Sequence, residues 1–254
     1  MSAFGLGGAK ATLAISDIRR ATDSMGTLRA ATILSGFVAL TVPLMPVQAA
    51  LLRLWTEGAR RLPNWYHRQV CRLLGITFKI DGEVVKDRPV LLVANHTSWL
   101  DIPVLSAVAP VSFVAKQEVG GWPFVAQLAR LQRSVFVDRA RRQLAGATAG
   151  IIAERLASGD TIVLFAEGTS SDGTRVLPFK SSLFGAIEGG EARDVAVQTV
   201  AVVYTHLYGI PLAIADRPRI GWYGDMEMQT HAWQLLKAGP LTVSIRIGPP
   251  VPLA

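Results

Sequence analysis

The hydrophobic and polar positions of this chain divide it into three parts. Residues 1–29 are polar, rich in Gly and Ala and without strong periodicity, so we expect partial disorder there. Residues 30–52 contain no charged side chain, and as a helix they would extend about 34 Å, enough to cross the core of a bilayer. Pro43 and Pro46 predict a kink in that helix. The main part of the chain begins near residue 75.

The uncharged segment has three interpretations. A membrane-anchoring helix or a kinked re-entrant hairpin agrees best with its length. A cleaved signal peptide is the second, since Val47-Gln48-Ala49 resembles a cleavage site, although the region before it is far too long. A buried core helix is the third. Arg53, Arg60 and Arg61 follow the segment closely whereas Arg29 precedes it, and this asymmetry favours a main domain in the cytoplasm.

Residues 62–74 place apolar and basic side chains at roughly helical spacing. This pattern predicts an amphipathic helix that lies on the membrane or on the main domain, and an ordinary surface helix explains it equally well. Together with the segment before it, this helix makes residues 30–74 the predicted anchoring region.

From residue 76 onward, short β-rich runs alternate with helical stretches. The predicted strands are Thr77–Ile80, Val90–Ala94, Ser112–Ala115, Val135–Val137, Thr161–Ala166, Val197–Tyr204 and Leu241–Ile247. The predicted helices are Leu100–Val108, Trp122–Leu131, Arg142–Ala157 and Leu183–Gly189. Because several strands are continuously apolar, we expect both of their faces to be buried. For residues 75–254 this pattern therefore predicts an α/β fold, with a mixed, mostly parallel sheet flanked by helices.

The amino-acid composition also indicates contact with a membrane. Half of the 254 residues are hydrophobic, 18% are charged, and the mean hydropathy is +0.33, all of which favour contact with a bilayer. The net charge of +7 suits an anionic lipid surface or an acidic carrier. No nucleic acid is expected as partner, because no basic run with interleaved aromatic residues is present. The single cysteine, Cys71, excludes an internal disulfide and is predicted to be a buried, inert thiol.

The strongest candidate for chemistry is the run Asn95-His96-Thr97-Ser98-Trp99-Leu100-Asp101, directly after the predicted strand that ends at Ala94. Ligands of open α/β sheets bind past the carboxyl ends of strands. A histidine there can take a proton from a hydroxyl near neutral pH, and Asp101 in the next helical turn could fix its tautomer. The alternative is structural: Ser98 and Asp101 form a capping box, and His96 is only a turn residue.

The chain resembles the glycerolipid and lysolipid acyltransferase family, whose four motifs occur in order over about residues 75–250. The first motif is H-x-x-x-x-D, and the resemblance implies that His96 is a general base with Asp101 as its charge partner. Val135-Phe136-Val137-Asp138-Arg139 resemble the second motif. Its arginine, here Arg139, helps to bind the lysolipid head group, although an ion pair with Asp138 or Asp160 is the alternative.

Phe165-Ala166-Glu167-Gly168-Thr169 resemble the third motif, usually followed by Arg and Ser, and Val200–Val203 take the place of the fourth. The resemblance implies that Glu167, Gly168, Thr169 and Ser170 shape the acceptor site. It also places Lys180 near the acceptor head group or the carrier, with a solvated surface lysine as the equal alternative. Lys116 has the same two interpretations.

Two departures from the family pattern bear on substrate. Ser170 replaces the arginine that follows E-G-T, and a serine cannot bind a phosphate with a charged fork. The E-G-T-S-S-D-G run, Tyr204-Thr205-His206 and Trp222–Met226 are similar to the branch that acylates lyso-ornithine lipid, an amino-acid lipid without phosphate. Thr199-Val200, where relatives commonly carry a proline, is expected to alter strand detail only.

The resemblance therefore implies a bacterial O-acyltransferase at the inner membrane. Its donor would be an acyl carrier protein or coenzyme A thioester, and its acceptor the hydroxyl of a lysolipid, preferably lyso-ornithine lipid, with 1-acylglycerol 3-phosphate as the alternative. No metal or other cofactor is expected, because the histidines lack metal-ligand spacing and no nucleotide-binding glycine motif occurs. A serine hydrolase is not expected, because the chain has no G-x-S-x-G nucleophile elbow. A non-catalytic lipid-binding membrane protein is the alternative of a different class.

Overall fold

The computed structural model describes residues 6–137, 145–180 and 194–251, with side chains from residue 22 onward except for 145–148. The α-helices are α1 (Leu6–Leu54), α2 (Thr56–Leu74), α3 (Asp101–Val108), α4 (Val125–Leu131), α5 (Ala145–Ala157) and α6 (Met228–Ala238). The strands are β1 (Ile76–Asp81), β2 (Val90–Ala94), β3 (Ser112–Lys116), β4 (Val135–Val137), β5 (Thr161–Phe165), β6 (Ala196–Leu207), β7 (Ile210–Pro211) and β8 (Leu241–Val251). The predicted helix Leu183–Gly189 lies outside the described residues.

One sheet joins the strands in the order β1-β8-β6-β2-β5-β3-β4, with β7 paired to β6. The five strands β6, β2, β5, β3 and β4 run parallel to one another. β8 and the short β7 pair with β6 in the antiparallel sense, and β1 runs parallel to β8. The sheet is therefore mixed and mostly parallel, as the sequence predicts.

The sheet is buried on both faces. Along β2, Val90, Leu92 and Ala94 belong to one apolar cluster, whereas Leu91 and Val93 belong to the other. The first cluster is completed by residues of α2, α3 and α6, and the second by residues of α5. The inference from the continuously apolar strands is thus confirmed.

Several element boundaries differ from those predicted. The helix expected from Trp122 starts at Val125, because Pro123 follows a 3₁₀ turn over Gln117–Gly121 and Phe124 has a positive φ of 63°. β6 and β8 extend further than predicted and form a long antiparallel ribbon. Neither β7 nor α6 was predicted.

The N-terminal helix runs without interruption through Pro43 and Pro46. The disorder expected before residue 30 is wrong for residues 22–29, which are helical and bonded to the main domain. Asp23 forms an ion pair with Lys237 of α6, and Arg29 donates to the carbonyl oxygens of Leu236 and Leu74. These partners lie far along the chain, so the local sequence gives no sign of them.

The same helix is attached to the domain at several points between Asp23 and Gln48. Thr41 Oγ1 lies 2.7 Å from the hydroxyl of Tyr66 on α2, and Gln48 donates at 2.9 Å to the carbonyls of Ala59 and Leu131. Elsewhere around α1, apolar side chains are exposed at Leu28, Leu34, Val38, Val42, Val47 and Leu52. Its segment Thr22–Leu54 is long and apolar enough to span a membrane. Of the most apolar stretch of 18 residues in this segment, 17% is buried.

The second helix confirms the amphipathic pattern. Its buried side includes Ala59, Pro63, Val70 and Cys71. It is longer than predicted, and it ends where Gly75 adopts a left-handed φ of 75° and donates to the carbonyls of Arg72 and Cys71.

Candidate active site

The H-x-x-x-x-D motif lies at the carboxyl edge of the parallel strands. Ala94, the last residue of β2, is level with Phe165 at the end of β5 and with Val200 on β6. His96 and Glu167, each two residues past its strand, therefore meet at this edge. The position is the one at which open α/β sheets bind ligands.

His96 and Asp101 form a hydrogen-bonded pair. Nδ1 of His96 lies 2.8 Å from Oδ2 of Asp101, whose side chain is completely buried, whereas the imidazole is 17% exposed. An ionised carboxylate accepts only, so Nδ1 carries the proton and Nε2 presents its lone pair. No described residue bonds to Nε2. The ring is therefore arranged to accept a proton from a group outside the protein.

The structural interpretation of the same motif is half correct. Oδ2 of Asp101 accepts the backbone N–H groups of Thr97 at 2.7 Å and Ser98 at 3.0 Å, as the acidic member of a capping box does. The hydroxyl of Ser98 is buried and has no partner in the described structure, so the reciprocal bond is missing. The turn thus serves to hold the aspartate, and the histidine remains available.

Aromatic rings form the floor under the imidazole. The ring of His96 stacks on Phe165 with centroids 4.0 Å apart and an interplanar angle of 17°, and Phe165 stacks in turn on Phe113. Both phenylalanines are almost fully buried. The stack restricts rotation of the imidazole and gives its inner face an apolar environment.

Glu167 holds the backbone of the site. Its carboxylate is buried, and its two oxygens accept the N–H groups of His96 at 2.8 Å and Leu177 at 2.7 Å. The resemblance implies a part in shaping the acceptor site, and these bonds show how it fixes the loop that carries the following residues.

Further contacts that the sequence did not predict complete the frame. Ser171 donates its N–H at 2.9 Å to the carbonyl of His96, and Trp222 donates its N–H at 2.9 Å to the carbonyl of Thr97. Trp99, inside the motif, donates from Nε1 to Nδ1 of His231 on α6 at 3.1 Å. Every partner comes from a distant part of the chain. The geometry of the motif therefore depends on two loops, those of Ser171 and Trp222, and on helix α6.

The E-G-T-S loop borders the site. Gly168 has a left-handed φ of 72°, and a Cβ placed there would lie 3.0 Å from Nζ of Lys180, so the lysine side chain runs along this glycine. The Gly168 N–H donates to the carbonyl of Phe165, which removes it as a donor to an oxyanion. Thr169 is exposed and Ser170 partly exposed. Lys180 is likewise exposed, so this loop offers hydroxyl groups and one ammonium to a ligand.

Among the described residues, the structure does not bring the remaining candidates into contact with the pair of His96 and Asp101. Arg139 and Asp138 lie outside the described residues, and Lys116 is exposed at the end of β3. Asp160, the alternative partner of Arg139, sits at the opposite edge of the sheet. There it already binds three guanidinium groups, from Arg60, Arg133 and Arg155. Within the part of the chain that the structure describes, no group of three or more metal-binding side chains is found.

Comparison with known proteins gives a consistent result. A sequence profile of the Acyltransferase family matches residues 75–203. The chain is 48% identical over 232 residues to the lyso-ornithine lipid O-acyltransferase of Brucella abortus, covering 89% of this chain and 86% of that protein. It is 36% identical over 181 residues to the 1-acyl-sn-glycerol-3-phosphate acyltransferase of Neisseria meningitidis, covering 70% and 67%.

A solved structure shares the fold. The crystal structure of the 1-acyl-sn-glycerophosphate acyltransferase from Thermotoga maritima matches with a TM-score of 0.62 and 24% identity, over 92% of this chain and 86% of that one. The fold and the paired histidine and aspartate thus define an enzyme of the acyl-transfer class. The chain belongs to the Acyltransferase family.

Proposed function

We propose that this enzyme transfers a fatty acyl group from a thioester carrier to the hydroxyl of a lysolipid, with lyso-ornithine lipid as its preferred acceptor. The observation that carries the chemistry is the 2.8 Å bond between Nδ1 of His96 and Asp101, which leaves Nε2 as a base. The names of the relatives support a lysolipid acceptor.

The transfer needs no covalent enzyme intermediate. The acceptor oxygen attacks the thioester carbonyl as Nε2 of His96 takes the hydroxyl proton, the carbon–sulfur bond breaks, and the carrier leaves as a thiolate. The imidazolium then returns the proton to the thiolate or to water. Buried Asp101 stabilises the imidazolium in between, and a base of this kind contributes roughly 10²–10⁴ in rate. The carrier, an acyl carrier protein or coenzyme A, supplies the only co-substrate required.

The acceptor preference rests on the E-G-T-S loop and on the Brucella relative. Ser170 cannot form the bidentate, charged contact that an arginine makes with phosphate. Lys180 beside Gly168 can still attract an anionic group, which keeps 1-acylglycerol 3-phosphate as the second acceptor. We place Gly168, Thr169, Ser170, Lys180 and Arg139 at the acceptor site. Glu167, which is buried and bonded to two backbone N–H groups, shapes that site by fixing its loop.

The direct test is an assay of the purified enzyme on both acceptors with both donors. We expect lyso-ornithine lipid to be the better acceptor and His96→Ala to abolish transfer. His206→Ala is the matched control, because the imidazole of His206 bonds, among the described residues, to its neighbour Thr205 and not to the dyad. Ser170→Arg should shift the preference toward the phosphate lipid. Exclusive use of the phosphate lipid by the wild type would overturn the acceptor assignment, and turnover by His96→Ala would overturn the base.

We further propose that α1 and α2 attach the enzyme to the cytoplasmic face of the inner membrane. The bonds from Asp23 to Gln48 tie α1 to the polar domain over 25 residues, roughly 38 Å of helix. A helix flanked by the domain over that length fits an orientation along the bilayer surface, with its apolar side inserted. It fits an upright crossing poorly.

Cysteine labelling distinguishes the two orientations. Ser24→Cys and Thr56→Cys place reactive thiols at the two ends of the apolar helix, at exposed positions. Both should be protected from an impermeant maleimide in intact spheroplasts and labelled in inside-out vesicles. Labelling of one end from outside would show a crossing. The native Cys71 is buried and gives little background.

A further inference from the structure

The carboxylate of Asp101 has a donor that lies outside the H-x-x-x-x-D motif. Its Oδ2 accepts from His96, Thr97 and Ser98, all of them local. Its Oδ1 accepts the hydroxyl of Tyr204 at 2.8 Å, across 103 positions of sequence. Because Asp101 is completely buried, water cannot replace that bond, and an unpaired carboxylate oxygen there would be strongly unfavourable.

The route of β6 explains how Tyr204 reaches the aspartate. The ladder between β2 and β6 ends at Ala94 and Val200, but β6 continues to Leu207. Just past the ladder, the side chain of Asn95 exchanges two hydrogen bonds with the backbone of Val202. The side chains of β6 alternate between its faces, so Tyr204 points to the same side as Val200 and Val202 and meets the start of α3.

Tyr204 is too deeply buried to contact a substrate. Only 4% of the residue is exposed, and its hydroxyl bonds to Asp101. Burial, together with the adjacent Asp101 carboxylate, holds the pKa of Tyr204 well above its usual range, so the phenol stays protonated as a donor. It can therefore influence the reaction only through the aspartate.

We propose that Tyr204 is a positioning residue of the reaction, which fixes the rotation of the Asp101 carboxylate and moderates its charge so that Oδ2 faces Nδ1 of His96. This inference rests on the proposed role of His96 as base. The hydroxyl withdraws charge from Oδ1, which weakens the pull of the carboxylate on the imidazole proton. The basicity of His96 would thus depend on two residues that lie 103 positions apart in the chain.

The test is the pH profile of kcat/KM for Tyr204→Phe. Loss of the donor leaves a more basic carboxylate, which stabilises the imidazolium, so the acidic limb should move to higher pH. We expect kcat at the plateau to fall roughly tenfold, with KM for the acceptor nearly unchanged. Tyr66→Phe is the matched control, because it removes a tyrosine hydroxyl bond to Thr41 far from the dyad and should leave the limb in place.

A second variant keeps the test decisive if Tyr204→Phe folds poorly. Replacing Tyr204 by 3-fluorotyrosine keeps the shape and makes the phenol a stronger donor, so the limb should move the opposite way, to lower pH. An unchanged limb in either folded variant, with or without a loss of rate, would overturn the inference. His96→Ala in the same assay separates the two claims: if it retains turnover, the base assignment fails and not the role of Tyr204 alone.

Discussion

The carboxylate of Glu167 accepts the backbone N–H of His96 at 2.8 Å while its other oxygen accepts the N–H of Leu177. One buried side chain thus joins the ends of β2 and β5 to the loop that follows them. The imidazole of His96, the proposed base, is aligned by this bond to its own backbone as well as by the bond to Asp101.

Glu167→Gln should therefore impair catalysis without contacting substrate. A glutamine offers one oxygen and an NH₂ group, so one of the two N–H groups faces another donor, at an expense of about 1–3 kcal/mol in stability. Displacement of His96 should lower kcat about tenfold or more. Steady-state kinetics and thermal unfolding in detergent measure the two effects. Glu154→Gln, on the exposed side of α5, is the control and should change neither quantity.

A second prediction concerns Asp160, whose substitution should affect stability and not catalysis. It is 2% exposed and binds Arg60 of α2, Arg133 before β4 and Arg155 of α5, at the sheet edge opposite His96. Asp160→Asn leaves three adjacent cations without a counter-charge, and we expect the free energy of unfolding to fall by about 3–5 kcal/mol. Denaturant unfolding measures this.

The control for this experiment is Asp81→Asn. Asp81 pairs with Arg246 at the surface, so its loss should cost less than about 1 kcal/mol. Equal effects of the two substitutions would contradict a specific role for the cluster. Turnover per folded molecule should stay near the wild-type value in both, since neither residue contacts the dyad.

His67 predicts a pH dependence of stability. Burial lowers the pKa of this histidine to about 4, and its Nδ1 lies 2.8 Å from the hydroxyl of Ser106. In the unfolded chain the pKa of His67 is near 6.5, so the unfolded state binds a proton that the folded state does not bind. The contribution of His67 to the free energy of unfolding is therefore fully present above about pH 6.5 and is lost as the pH falls toward 4. Thermal unfolding at pH 7.5 and pH 5 should show the loss. In His67→Gln the difference between the two pH values should be smaller.

Cys71 should be inert in the folded enzyme. Burial raises the pKa of its thiol to about 12, so almost no thiolate is present at neutral pH. Maleimide labelling followed by mass spectrometry should find no modification in the native protein and complete modification after denaturation. Rapid native labelling would show that α2 separates from α3, against which the thiol packs.

The sequence predicts the local parts of this structure well. The buried strands β2 and β4 have the predicted bounds, and the motif after β2 forms the predicted pair of His96 and Asp101. These features depend on side chains that are close in the chain. A continuous apolar run and a fixed spacing are enough to define them.

Long-range contacts could not be predicted in the same way. Trp222 and Ser171 support the motif through backbone bonds, which any residue type can make, so their identities do not predict these bonds, although both belong to runs that resemble the lyso-ornithine branch. Tyr204 was named in the sequence only as part of the Tyr204-Thr205-His206 run. Its contact with Asp101 follows from the structure, in which the alternation of buried positions along β6 continues past the level of Ala94. The disorder expected near Arg29 was wrong because its partners lie on α2 and α6.

The attachment of α1 has a consequence for how substrate arrives. Because bonds at Arg29, Thr41 and Gln48 hold the helix to the domain at several levels, the proposed anchor and the domain should move as one body. If α1 lies on the bilayer as proposed, the height of His96 above the lipid tails is then fixed. Acceptors should differ in reactivity according to how far their hydroxyl can rise toward His96 while the acyl chain stays in the membrane.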